Sequence, residues 1–356
     1  MQLVASIHRW AGGLIGLLLA LLGLTGALLV WKGAWLRLTV SAEAVVETDP
    51  ATLGALTQNI LAGSTQKPTS IVFANSDIAL HTVRTGPDSG FYADANGSAM
   101  ASWDSFWARS EIFLFDLHHH LLVGEAGETV SGIAGLVGLG FIITGLILWW
   151  PTRKTFRLRL WPARMTRPAI IRQHRDMGVI IAPLLFLTML TGVMMTLKPV
   201  AELLLSPFSN AAEMESALEP PKVTAGPADN ADWPRIMAVA QARFPDATIR
   251  IIGLPRKTGG PVAIRLKRPG EWHNNGRTII WFDGATGNLL RAKDALAMPQ
   301  GLQLFNLAYP LHAAKVGGTV YKVVQSIAGL ALALLGSLAV WSFWFRKKGF
   351  SKPIKP

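Results

Sequence analysis

The sequence predicts an α-helical membrane protein: a bundle of four transmembrane helices with two α+β domains outside the bilayer. Three observations predict it. Charged residues make up only 16% of the 356, against about 25% in ordinary soluble proteins. Four separate runs lack charge over the roughly 20 residues a spanning helix needs. Basic residues crowd the short segments beside those runs, whereas the first long segment between them is acidic on balance.

The first run is Ala11 to Trp31, the second Thr129 to Thr152, the third Met177 to Leu197 and the fourth Val323 to Phe345. Trp31, Trp149, Trp150, Trp341 and Trp344 stand at their ends, where amphipathic rings sit at the headgroup level. The first run exceeds the roughly 7–15 residues of a signal-peptide core and ends in Trp31-Lys32, so a retained helix is expected. Residues 153–175 hold eight Lys or Arg and no acid, and the tail after Phe345 holds five more. The bias of Lys and Arg toward the cytoplasmic side places both segments and the N-terminus inside. The layout is then 1–31 N-terminus and helix 1, 32–128 outer domain 1, 129–152 helix 2 and 153–175 basic cytoplasmic loop. It continues with 176–197 helix 3, 198–318 outer domain 2, 319–345 helix 4 and 346–356 basic cytoplasmic tail. Orientation accounts for the net charge of +12, and no nucleic-acid partner is expected. The absence of cysteine excludes disulfides, iron–sulfur clusters and covalent CxxCH haem attachment.

In the second outer segment, residues 232–244 read as a helix, followed by strands at 247–254, 261–268 and 277–283. Asp283-Gly284-Ala285-Thr286-Gly287 is a turn signal, with Asn288-Leu289-Leu290 after it. The first segment carries a fainter copy: a helix at 51–62, strands at 69–74 and 78–84, then FYADANGSAM as strand and turn. His81 and His273 are isolated and read as surface residues. Arg256, Lys257, Arg265, Lys267 and Arg268 read as a solvated strand face, with attraction of an anionic chelate as the other reading.

The remaining histidines form a repeat. His8-Arg9-Trp10-Ala11-Gly12 opens the first span and His174-Arg175-Asp176-Met177-Gly178 the third, and each His lies 17 positions before a Thr-Gly pair, Thr25-Gly26 and Thr191-Gly192. Leu117-His118 and Leu311-His312 precede spans two and four, each 10 residues before the last charge, Glu128 or Lys322. A two-span unit plus outer domain is thus used twice. The topology sets His8 and His174 at one depth and His118 and His312 at another. Ionisable groups at membrane depth are costly and mark function. Two facing histidines can fill both axial positions of a haem iron, so two facing pairs suit one haem near each face and electron transfer across the membrane. A zinc or copper ion is the rival, with Asp176 and Asp116 the nearest acids. Gly12, Gly13 and Gly16, with Gly132, Gly135, Gly138 and Gly140, leave room for a flat ring or for close helix packing. His118 and His312 lie about 16 Å ahead of their uncharged runs if the helix is straight, unless glycines bend the chain back.

The stretches HRWAGGLIGLLLALLGLTGALL, His118 with Leu121, Leu122 and Gly124, RQHRDMG and LHAAKVGG resemble the PepSY-associated transmembrane family over nearly the whole chain. FDGATGNLL and, more faintly, FYADANGSAM resemble PepSY domains. The resemblance implies two periplasmic PepSY-like domains and a multi-pass protein of the bacterial inner membrane. The family includes haem-containing ferrisiderophore reductases of iron uptake. By position the resemblance gives the axial-ligand role, to two haem b groups, to His8, His174, His118 and His312. The triple His118-His119-His120 departs from the family pattern and leaves the choice among the three open, His118 being the match to His312. The implied partners are a ferric siderophore or other ferric chelate outside, a cytoplasmic or membrane electron donor, and the lipid bilayer.

Two further functions compete with a ferric reductase. A membrane-anchored PepSY binding or regulatory protein would need no cofactor and no paired histidines. A transporter would want broken helices at the bilayer midplane, where Thr25, Thr144 and Thr191 are only mildly polar.

Overall fold

The computed structural model describes residues 1–40, 46–223, 231–255 and 260–345. The basic tail at 346–356, and Arg256 and Lys257, lie outside the described residues. In chain order the helices are α1 (Gln2–Leu29), α2 (Lys32–Leu36), α3 (Pro50–Gly63), α4 (Ser110–His120), α5 (Glu125–Trp149) and α6 (Arg167–Thr196). They continue with α7 (Lys198–Leu205), α8 (Ala211–Leu218), α9 (Trp233–Arg243), α10 (Gln300–Phe305), α11 (Ala308–His312) and α12 (Gly318–Trp344). The strands are β1 (Ser70–Val72), β2 (His81–Arg84), β3 (Gly90–Ala93), β4 (Ala99–Trp103), β5 (Thr248–Gly253), β6 (Val262–Lys267), β7 (Thr278–Phe282) and β8 (Leu289–Lys293). The chain divides into two compact units, one of Met1–Val30, Leu117–Leu197 and Thr319–Pro356, the other of Trp31–Asp116 and Lys198–Gly318.

In the first unit, α1, α5, α6 and α12 are each long and apolar enough to cross a membrane. Lipid supplies no hydrophobic drive between helices, so small residues that admit close backbones set the contacts. A β-carbon on Gly16 would stand 2.9 Å from the Gly336 carbonyl oxygen, and one on Gly23 would stand 2.6 Å from that of Gly329. These pairs fix where α1 crosses α12. Met189 fills the notch at Gly138, and Thr196 that at Gly132, so α5 meets α6 the same way. Leu19, Ala134 and Met189 form one buried cluster; Ile181, Leu185, Ala328, Ala331 and Leu335 form another. Leu14, Leu17, Ile143, Ile327 and Leu330 remain exposed, the surface a bilayer covers. Asp176 is fully buried. It accepts from Arg159, from Arg175 Nε at 2.7 Å and from the Arg157 backbone N–H at 3.2 Å, tying the basic loop to the start of α6. That commitment removes Asp176 as a metal ligand.

The second unit is built on one antiparallel sheet in the order β4-β3-β2-β1-β5-β6-β7-β8. The sequence reads as two small sheets; the structure joins them at their first strands. The order is symmetric about the β1–β5 seam, as two copies of one motif paired antiparallel would give. Joining β1 to β5 pairs two edges that would otherwise expose unsatisfied backbone groups. Ile71 lies opposite Ile252, and Val72 opposite Ile251. The Arg250 guanidinium reinforces the seam by donating to the carbonyls of Ala74 and Phe73, each at 3.0 Å. Hydrogen bonds from a charged donor are worth about 1.5–3 kcal/mol, and burial lowers the Arg250 pKa.

The alternation of apolar residues decides which face is buried. Val262, Ile264 and Leu266 of β6 are fully buried on one side, as a period of two dictates. Helices α3 and α9 cover that side with Leu53, Leu56, Ile60, Ile236 and Met237. Both start on an acidic cap with proline just inside. Asp49 accepts from the Thr52 N–H at 2.9 Å ahead of Pro50, and Asp232 accepts from the Arg235 N–H at 3.1 Å ahead of Pro234. Side-chain oxygen caps and proline at the first helical positions are the preferred helix starts.

His81 and His273 are not surface residues. His81 is 1% exposed on the inward side of β2 beside Val83, and its Nδ1 accepts from the Ala74 N–H at 3.1 Å. His273 is 6% exposed and stacks on Tyr309 with ring centres 5.0 Å apart. Sequence distance hides the residues that cover them. Burial lowers His81 to about 4. Burial, with Arg277, Arg265 and Lys267 nearby, lowers His273 to about 3.

Candidate functional site

The helix repeat puts one histidine two turns inside α1 and another two turns inside α6. The structure brings them together: the rings of His8 and His174 stand 6.2 Å apart, centre to centre, with planes at 89°. Two imidazoles bonded at about 2 Å to opposite sides of one iron place their ring centres about 6 Å apart. The observed separation matches that spacing.

A hydrogen bond behind His8 orients its ring. Thr144 Oγ1 of α5 lies 2.8 Å from His8 Nδ1 and 2.7 Å from the Gly140 carbonyl. When the single hydroxyl proton goes to that carbonyl, Thr144 accepts from His8 Nδ1–H, and Nε2 carries the lone pair with which a histidine binds a metal. Phe141 packs edge-on against His8, ring centres 5.1 Å apart.

The glycines now separate into two kinds. Gly13, Gly16, Gly132, Gly135 and Gly138 touch neighbouring side chains or backbone and serve helix packing. Gly12, Gly140 and Gly178 face space in which an added β-carbon would meet nothing within 4 Å, and one on Gly145 would meet only His8, at 3.6 Å. Gly12 and Gly178 each lie four residues after His8 and His174, on the same helix face, and leave open space there for a flat ring.

His118 meets a threonine of a neighbouring helix, as His8 does. Helix α4 ends at His120, and the chain reverses through left-handed residues Leu121 (φ 50°), Leu122 (φ 64°) and Gly124 (φ 67°) before α5 begins. The bend returns His118 to α1: its Nδ1 lies 2.9 Å from the Thr25 hydroxyl, which donates to the Leu21 carbonyl at 2.8 Å. When the Thr25 proton goes to that carbonyl, His118 Nδ1–H donates to Thr25 and Nε2 keeps its lone pair. Gly26 leaves room for the ring, since a β-carbon there would stand 3.1 Å from His118 Cε1. Seventeen residues of straight helix separate His8 from Thr25, so the two levels lie about 25 Å apart. Two consecutive leucines with positive φ cost about 1–2 kcal/mol each, and such strain gathers where function demands a geometry. His312 occupies the equivalent local position, the last residue of α11, followed by left-handed Ala314, Gly317 and Gly318.

Among the cations of the second outer segment, Arg268 is committed to Asp246 at 2.9 Å and Asp294 at 2.6 Å, so it does not await an anionic ligand. A surface pocket beside Arg243, Asp246, Arg268 and Asp294 is lined by these same pairs. Arg265 and Arg277 are different. Burial lowers both, with Arg265 helping to bring Arg277 down to about 10, and Arg277 Nε is buried without a hydrogen-bond partner.

Four apolar spans joined to an antiparallel α+β unit define an integral, multi-pass membrane protein. The sequence pattern of the family described as PepSY-associated TM region matches residues 5–347, and the chain belongs to that family. No curated protein matches it.

Thr144, Thr25 and the bend at 121–124 are the site features that the sequence did not declare. Thr25 already marked the repeat, 17 positions beyond His8, but nothing local linked it to His118. Thr144-Gly145 is a third Thr-Gly pair, but nothing local linked it to His8.

Proposed function

We propose that the chain is a di-haem b-type oxidoreductase of the bacterial inner membrane that reduces a ferric siderophore or related ferric chelate on its periplasmic side. The carrying observation is the His8–His174 pair, its ring centres 6.2 Å apart, with Thr144 hydrogen-bonded to His8 Nδ1. His8 and His174 hold the inner haem; by their register in the sequence repeat, His118, oriented by Thr25, and His312 are the ligands expected for the outer one. Haem, when bound, supplies one-electron chemistry that side chains lack. The basic segment 153–175 sets the cytoplasmic side, so both termini lie in the cytoplasm and the sheet unit, with its PepSY-like halves, lies in the periplasm. Arg265 and Arg277, buried near each other, are the cations suited to an anionic chelate. A cytoplasmic or membrane-bound reductant is the electron source.

The test is direct. The purified protein is reduced anaerobically with dithionite, freed of excess reductant and mixed with a ferric siderophore in the presence of a colorimetric ferrous chelator. Reoxidation of the haem bands with matching formation of the ferrous complex is expected. Haem bands that persist unchanged, with no ferrous complex, would exclude the reductase activity. A protein that takes up no haem at all would favour the membrane-anchored binding module.

A further inference from the structure

The bend that delivers His118 also assembles a second group of ligands. His119 and His120 form the last turn of α4, and Glu128 lies in the first turns of α5. A β-carbon at Gly127 would collide with the His120 carbonyl, so only glycine allows α5 to start against the end of α4. That close approach brings Glu128 to 3.8 Å from His119 Nε2 and 4.0 Å from His120 Nε2. His119 Nδ1 and His120 Nε2 are 2.8 Å apart. Ligand atoms from all three residues lie within 4.8 Å of one another. The side chains are 35%, 29% and 29% exposed, open enough to receive an ion and shielded enough to hold it.

We propose that His119, His120 and Glu128 bind a divalent first-row transition-metal ion. Two imidazoles and one carboxylate form the donor set that suits iron(II), zinc and their neighbours while leaving positions for water or a chelate; magnesium and calcium prefer all-oxygen shells. The short His119–His120 contact needs a proton on one nitrogen, and an ion taking that place releases it. The strained turn through Leu121 and Leu122 thus serves two ends, placing His118 on α1 and closing this triad. Its occupant would be Fe2+ formed beside His118, a clause that rests on the reductase reading; the site itself does not.

Zinc is the probe. The full-length, tag-free protein in detergent is stripped with EDTA and dialysed against micromolar Zn2+ with millimolar Mg2+. Retained metal is counted by mass spectrometry, and haem by its visible bands in the same samples. Wild type is expected to retain about one Zn2+ per chain. Glu128→Gln and the double change His119→Asn/His120→Asn should weaken retention at least tenfold with haem content unchanged. Equal retention in wild type and variants, or none above buffer in wild type, would overturn the proposal. Zinc retained by a protein without haem would instead contradict only the reductase reading.

Discussion

The inner and outer histidine levels solve one problem with different devices. His8 and His174 sit on long continuous helices, and the period of 3.6 residues presents them to each other. His118 sits on a short helix and depends on a left-handed reversal to reach Thr25 on α1. An element held by helical repeat tolerates local change, because the whole bundle fixes it. An element held by a strained turn is only as secure as the few residues that permit the turn. The outer level should therefore be the fragile one, and substitutions at each level would break or sharpen that contrast.

The largest effect is expected from Gly127→Val. The added side chain cannot coexist with the His120 carbonyl, so α4 must swing away and His118 must leave Thr25. Haem content should fall from two to one per chain with the inner haem retained; loss of both or of neither would remove the distinction between the levels. Next, Gly12→Leu should lower inner haem content severalfold without unfolding the chain, because the space beside Gly12 is open. Gly16→Leu should destabilise the bundle instead, because it strikes the Gly336 backbone; thermal unfolding with haem quantitation separates the two.

Thr144→Val and Thr25→Val remove only the hydroxyl that orients each ring. Loss of such an orienting partner weakens metal binding by about 10- to 100-fold, so haem affinity should drop at the matching level alone, read by haem titration of the stripped protein. The smallest effect concerns the sheet unit and pH. The folded pKa of His81 is about 4, below the 6.5 of a free histidine, so the fold favours the neutral ring and the unfolded chain protonates first. Its contribution is complete above pH 6.5 and drains away as pH falls toward 4, on the order of 3 kcal/mol in all. The apparent melting temperature should fall across that window, and His81→Gln should make the fall shallower, with His273, lowered to about 3, supplying the remainder. A wild-type melting temperature that rises as pH falls from 6.5 to 4 would contradict this placement.

Much of the plan was legible in the sequence, for identifiable reasons. The four spans announce themselves by length without charge. The helices α3 and α9 and the strands on either side of the seam lie where capping residues, alternation and the Asp283–Gly287 turn put them. The registered spacing of His8 with His174 was visible because both sit in one recurring motif. What stayed hidden depends on long-range pairing or on single φ values. Nothing in SIV at 70–72 or TIRIIG at 248–253 says that these strands join each other. The αL conformations of Leu121 and Leu122 run against the preference of the residue itself, so no local rule finds them. His81 and His273 were misread because burial is decided by whatever covers a residue, here Phe73 and Tyr309. The triple histidine was ambiguous in sequence. The structure divides it, sending His118 to Thr25 and His119 and His120 to Glu128.

The most direct measurement is the haem-to-protein ratio with oxidised and dithionite-reduced visible spectra, taken on wild type, His8→Ala and His118→Ala. The account predicts about two b-type haems in wild type and one in each variant, with distinct residual spectra from the two levels. A wild-type protein that remains colourless after expression with added haem precursor would contradict it.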